Sequence, residues 1–160
     1  MSRSQTEHGA GYLVKRVQQG LRRRCDAALK PTGLSMAQYA LLRALHDHPD
    51  ASASELARLC FVTRQSLRDV LNGLRTAGLV ALSDAQGRGR ARALQLTPLG
   101  LRHLKDSHAA VEGVEADMLH GIPSAARKEL AALLIRCAEN LEACRTPDGR
   151  TGLNAPARRA

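Results

Sequence analysis

The run SASELARLCFVTRQSLRDVLNGLRTAG, from Ser52 to Gly78, decides how this chain folds. Ser52 is followed three residues later by Glu55, the spacing of a capping box, which predicts a short helix over about Ser54 to Leu59. Cys60 to Val62 leave room only for a tight turn before Thr63 opens another helix. Leu67, Val70, Leu71 and Leu74 share one face of that helix, and Gly78 stops it as a natural C-terminal cap. Two helices around a short turn, the second polar on its outer face, make a helix-turn-helix.

Working outward, Ser35 and Gln38 repeat the capping-box spacing, with Leu34 and Tyr39 placed for a hydrophobic staple. A helix is expected there from about Met36 to His46, ending before Pro49. Further upstream, Leu13, Val14, Val17, Leu21, Cys25, Ala28 and Leu29 recur at helical spacing, so Tyr12 to Leu29 reads as a first helix closed by KPTG. Downstream of Gly78, LVALS and ALQL are short strand-like runs joined by DAQGRGRAR, too long for a two-residue turn. They predict a hairpin with an extended basic loop carrying Arg88, Arg90 and Arg92. Thr97 can cap and Pro98 is tolerated in a first turn, so a fifth helix should run from there to about His120. Beyond GIPS, Leu130, Leu134, Cys137, Leu141 and Cys144 alternate steps of four and three, a coiled-coil-like seam that wants a partner. Residues 1–10 and 145–160 are expected to be disordered tails.

Composition narrows the function. The chain has 160 residues, 44% apolar, enough for one cored domain. Its net charge of +9 comes mostly from arginine, whose fork matches phosphate oxygens in pairs. Nucleic acid is therefore the first expectation for a partner and an acidic membrane surface the second. No run approaches the ~18 apolar residues of a membrane span, and the N-terminus has no signal-peptide core, so a cytoplasmic protein without membrane attachment is expected. The four cysteines, Cys25, Cys60, Cys137 and Cys144, form no C-x-x-C pair, which excludes a zinc ribbon and a thioredoxin-like motif. Cys137 and Cys144 lie about 10.5 Å apart along one helix and cannot bond within it. Hydrolase, phosphate-loop, zinc-protease and dinucleotide signatures are missing, so the chain does not read as an enzyme, and no cofactor or metal is expected.

Helix-turn-helix followed by a hairpin with a basic tip describes a winged helix, here with long helices at both ends. The stretch from Ser52 to Gly100 resembles the MarR family of bacterial transcriptional regulators. The likeness lies in the Ser-x-x-Glu-Leu-Ala start from Ser52 to Ala57 and the Val62-Thr63 opening of the recognition helix. It continues in the Leu-x-x-x-Gly-Leu-Val run from Leu74 to Val80 and the Leu-Thr-x-x-Gly run from Leu96 to Gly100. With the flanking helices it covers about residues 11–144. The resemblance implies a mainly α fold with a small β-hairpin wing, a winged helix-turn-helix flanked by long dimerisation helices. It implies one domain over 11–144, with a DNA-binding lobe at 35–97 and a helical dimerisation region at 11–30 and 98–144. At the wing tip the family usually carries Asp-x-Arg; this chain has Arg88, Gly89 and Arg90.

The function implied is a homodimeric repressor that binds a palindromic operator in double-stranded DNA and is released by a small-molecule effector. Thr63, Arg64, Gln65, Ser66 and Arg68 on the recognition helix are expected at the DNA, where arginine suits guanine and glutamine suits adenine. Arg88, Arg90 and Arg92 of the wing are expected at phosphates or the minor groove. The family's effector position would be lined here by Tyr12, Met36, Tyr39, Arg43 and His46. One branch of the family senses hydroperoxides through a cysteine on the first helix, which makes Cys25, beside Arg24, the thiol-sensing alternative. Zinc-sensing relatives draw attention to His46 and His48, and to His103 and His108, but their spacings do not give a shared helix face. An arginine-rich adaptor for RNA or acidic protein is the alternative from another class; the 2% aromatic content opposes single-strand stacking.

Overall fold

The computed structural model describes residues 8–82 and 94–143. In chain order it contains α1 (Ala10–Leu29), a 3-10 turn (Lys30–Thr32), α2 (Met36–Asp47), α3 (Ala53–Leu59), α4 (Arg64–Thr76), β1 (Val80–Leu82), β2 (Leu94–Leu96), α5 (Pro98–Met118) and α6 (Ser124–Ala143). The chain divides into two compact units, one ending at Met118 and the other beginning at Leu119.

The helix starts follow local chemistry. Ser35 Oγ accepts from Gln38 N while Gln38 Oε1 accepts from Ser35 N, and Ser52 and Glu55 repeat this reciprocal box at α3. Each box satisfies two backbone donors that the first turn would otherwise leave without partners. Thr63 Oγ1 accepts from Ser66 N at 3.1 Å and so caps α4. Thr97 Oγ1 accepts from Gly100 N at 3.0 Å and donates to the Gly78 carbonyl at 2.7 Å, tying the start of α5 to the end of α4. Gly78 adopts φ +70° where α4 ends, the left-handed cap expected of it.

In the first unit the core gathers around α2, whose Leu41, Leu42 and Leu45 are buried together with Leu29, Leu56, Leu67, Leu74, Leu79 and Leu104. α1 packs on α5, α2 on α4 and α5, and α3 on α4. The two strands pair antiparallel with Val80 opposite Leu96, Ala81 opposite Gln95 and Leu82 opposite Leu94. Gly100 makes the join between hairpin and α5 possible: a Cβ there would stand 2.0 Å from the Leu79 carbonyl oxygen. The fold class read from the sequence is the one observed, and each helix begins within two residues of its expected place. The wing loop, with Arg88, Arg90 and Arg92, lies outside the described residues, as do Cys144 and the tail beyond it.

Two apolar surfaces stand out among the described residues, one in each unit. On α1, Cys25 and Leu29 are buried, whereas Leu13, Val14 and Val17 at the other end of the same stripe are exposed. α6, taken by itself, has no buried residue, and its Leu130, Leu133, Leu134, Ile135 and Leu141 are all exposed.

Candidate nucleic-acid interface

α3 and α4 set up the first site. Burial of Leu67 and Leu74 fixes the rotation of α4, which leaves Arg64, Gln65, Arg68 and Asn72 on the opposite, exposed side. Thr63 and Ser66 are exposed at the start of the same helix, and the Thr63 hydroxyl also donates to Ser66 Oγ at 3.0 Å. Arg64 reaches across the turn, where its Nη2 donates to Ser54 Oγ at 2.8 Å. Gln65 Nε2 donates to Asp69 Oδ1 at 3.2 Å, one helical turn further on. Arg64, Arg68 and Leu67 border an apolar cleft of about 340 Å³ together with Ser52, Ser54 and Leu71.

All five residues expected on the recognition helix therefore lie together on one exposed end. Their chemistry is mainly donor chemistry: two guanidinium forks, one side-chain amide and two hydroxyls. The guanidinium forks match the N7 and O6 acceptors of guanine in a major groove, and the amide, which both donates and accepts, matches N7 and N6 of adenine. Asp69 is the acid on this face, and its bond to Gln65 holds the amide nitrogen along the helix surface. Contact with a base edge would exchange the Ser54 and Asp69 bonds for bonds to the ligand.

The second cluster joins α2 to α5. Tyr39 is buried, its hydroxyl 3.0 Å from His108 Nδ1, and the two rings stack with centroids 6.4 Å apart. Arg43 Nη1 lies 3.0 Å from His108 Nε2, while Arg43 Nε donates to Asp47 Oδ2 at 2.6 Å. A guanidinium only donates, so Arg43 presents an N–H to Nε2, while the Tyr39 hydroxyl can either donate to or accept from Nδ1. Glu112 Oε1, 3.3 Å from Nε2, faces the same ring atom. His46 and Arg43 both bond Asp47, and the His46 hydrogen bond, with Arg43 behind it, holds that carboxyl below its ordinary range. Burial pushes the Tyr39 hydroxyl up.

Of the residues expected around an effector, Tyr39, Arg43 and His46 thus belong to one hydrogen-bonded chain. Met36 is half-buried against the core, and Tyr12 is an exposed residue of α1. His108, Asp47 and Glu112 were missing from that expectation. His108 and Glu112 are four residues apart on α5, a shared-face spacing readable in the sequence, but the approach of Arg43 and Tyr39 depends on how α2 meets α5.

Cys25 is 1% exposed, and burial, reinforced by the carboxylates of Asp26 and Glu115, pushes its thiol up. Arg24, the neighbour expected to activate it, lowers it by less and is paired with Asp117. Burial disfavours the thiolate, the nucleophilic form, which weighs against the thiol-sensing alternative. Cys60 is likewise pushed up by burial. Among the described residues no three His, Cys, Asp or Glu side chains gather as a metal would need. No described helix is long and apolar enough to cross a membrane.

The chain is similar to several known proteins. A family model described as MarR family matches residues 32–91. An HTH-type transcriptional repressor of Mycobacterium tuberculosis is 36% identical over 124 residues, covering 78% of this chain and 89% of the repressor. The crystal structure of a Mycobacterium tuberculosis MarR family protein in complex with salicylic acid is similar at a TM-score of 0.69 and 34% identity, covering 81% of this chain and 96% of the other. The structure of such a protein in complex with DNA is similar at a TM-score of 0.66 and 32% identity, covering 81% and 97%.

Proposed function

This chain belongs to the MarR family, and from that premise we propose that it is a homodimeric transcriptional repressor that binds a palindromic operator in double-stranded DNA. The observation that carries the proposal is the exposed end of α4, where Thr63, Arg64, Gln65, Ser66 and Arg68 stand together on a helix anchored by Leu67 and Leu74. Two such ends, one from each protomer, would enter successive major grooves. Arg88, Arg90 and Arg92 of the wing supply phosphate or minor-groove contacts alongside. Residues 35–97 form the reading lobe, and 11–30 with 98–144 pair the protomers through the uncovered stripes of α1 and α6.

The input is a small molecule that enters near the junction of α1, α2 and α5 and weakens operator binding. The mycobacterial relative's complex with salicylic acid supports a small anionic or aromatic compound. Tyr12, Met36, Tyr39, Arg43 and His46 are its assigned contacts, with Arg43 as the anion partner. Ligand and operator must then oppose each other by the same factor, whichever is titrated first. The protein works in the cytoplasm, where its operator is, and its output is binding rather than catalysis.

The test compares the affinity of the full chain for duplex operator DNA with that for single-stranded RNA of the same length. Preference for the duplex, and for its own sequence over a scrambled one, is the expected result. Tighter binding to the single strand would replace the proposal with the arginine-rich RNA or acidic-protein adaptor.

A further inference from the structure

The turn between α3 and α4 holds one further exposed side chain, Phe61. At the end of α3 the Phe61 N–H donates to the Arg58 carbonyl at 3.1 Å and the Val62 N–H to the Ala57 carbonyl at 3.0 Å. The second bond closes a Schellman motif, and Phe61 occupies its left-handed position with φ +54°. That position ordinarily takes glycine, because an L side chain there crowds the following carbonyl oxygen.

The ring gains nothing from the fold in return. Phe61 is 95% exposed, more than any other large apolar side chain among the described residues. It is the single phenylalanine of the chain, which otherwise has two tyrosines and no tryptophan. Glycine or asparagine would remove both the backbone strain and the exposed apolar surface. The ring's position is informative: Phe61 comes two residues before the Thr63 cap, so their Cα atoms are at most about 7.6 Å apart. It stands at the end of α4 that presents Arg64 and Gln65.

A duplex that receives this end of α4 in its major groove brings its groove wall to the Phe61 ring. The apolar features of that wall are thymine methyl groups and deoxyribose faces. We infer that Phe61 is a DNA-contacting residue, laying its ring against one of these apolar features at the border of each half-site. The inference rests on α4 being the recognition helix.

The experiment uses the full chain and the tightest duplex recovered from a random pool, with Phe61→Gly, Phe61→Asn and Phe61→Leu compared. Glycine and asparagine both accept the left-handed backbone, so each should raise Tm by about 2–4 °C. Each should also weaken the duplex about 5-fold, the scale of a partly buried phenyl ring, while Phe61→Leu retains most of the affinity. The slope of affinity against salt should stay at the wild-type value, since no phosphate contact is lost. Replacing border thymines by deoxyuridine separates the two apolar sources. If the methyl is the contact, wild type loses affinity and Phe61→Gly loses none; if the deoxyribose is, neither responds.

Wild-type duplex affinity in Phe61→Gly and Phe61→Asn would overturn the inference, as would a changed oligomeric state at unchanged affinity, which would assign the ring to a protein contact. A fall in Tm would also overturn it, because the ring would then be serving the fold. Failure of the underlying reading looks different: wild type would not distinguish the selected duplex from a scrambled one.

Discussion

α4 and α6 both carry an apolar stripe, and the chain treats the two differently. The stripe of α4 is closed within the single chain: Leu67 and Leu74 are buried against α2 and α3, which fixes the opposite, polar face. The stripe of α6 is left open, with Leu141 74% exposed and no residue of the helix buried. In the proposed repressor a self-contained reading head and an open helix would divide the labour, the first selecting the duplex and the second pairing with another copy. The difference predicts that damage to each will look different.

The largest effect should come from the open stripe. Leu134→Asp or Leu141→Asp places a carboxylate where the second protomer would bury it, at a cost of several kcal/mol, and should abolish both dimerisation and operator binding. Light scattering with a duplex titration checks this. A folded wild-type monomer at micromolar concentration would erase the distinction between the helices.

Next in size, the closed stripe should respond as a core. Leu74 is 0% exposed, and Leu74→Ala should lower stability by about 2–5 kcal/mol, read as an earlier denaturant midpoint. On the polar face of the same helix, Arg68→Ala should cost about 1–3 kcal/mol, mainly on the preferred sequence, and relax choice at one base pair in each half-site. Arg90→Ala in the wing should instead weaken matched and scrambled duplexes alike and reduce the salt slope of the dimer by about 2. A salt titration of both variants on both duplexes separates reading from holding.

The smallest effects lie at the caps. Ser52→Ala should destabilise by about 1 kcal/mol. Glu55, bonded to the Ser52 backbone N–H and hydroxyl, is held below its ordinary 4.5. A depressed carboxyl contributes stability above its unfolded pKa and loses it as pH falls through the folded value. Acid unfolding of Glu55→Gln should therefore lack that step, since the amide keeps the bond to Ser52 without titrating.

These caps also mark what the sequence made legible. Ser35 with Gln38, Ser52 with Glu55, and Thr97 with Gly100 act over three residues, so local spacing suffices to find them. The burial of Cys25 was equally readable, because it continues the apolar stripe of α1. The cluster at His108 was not: its partners Tyr39 and Arg43 are 69 and 65 residues away, and their approach depends on packing between α2 and α5. Phe61 escaped for the opposite reason. The turn from Cys60 to Val62 was evident, but without a glycine nothing local indicates which residue takes the left-handed conformation.

In the proposed dimer, two copies of the α4 face, held in fixed relation by the pairing helices, read one duplex. Selection of bound duplexes from a random pool tests this most directly. An inverted repeat should be recovered, its half-sites centred one helical turn, roughly 34–36 Å, apart. Recovery of a single unrepeated element, or of no enriched sequence at all, would contradict it.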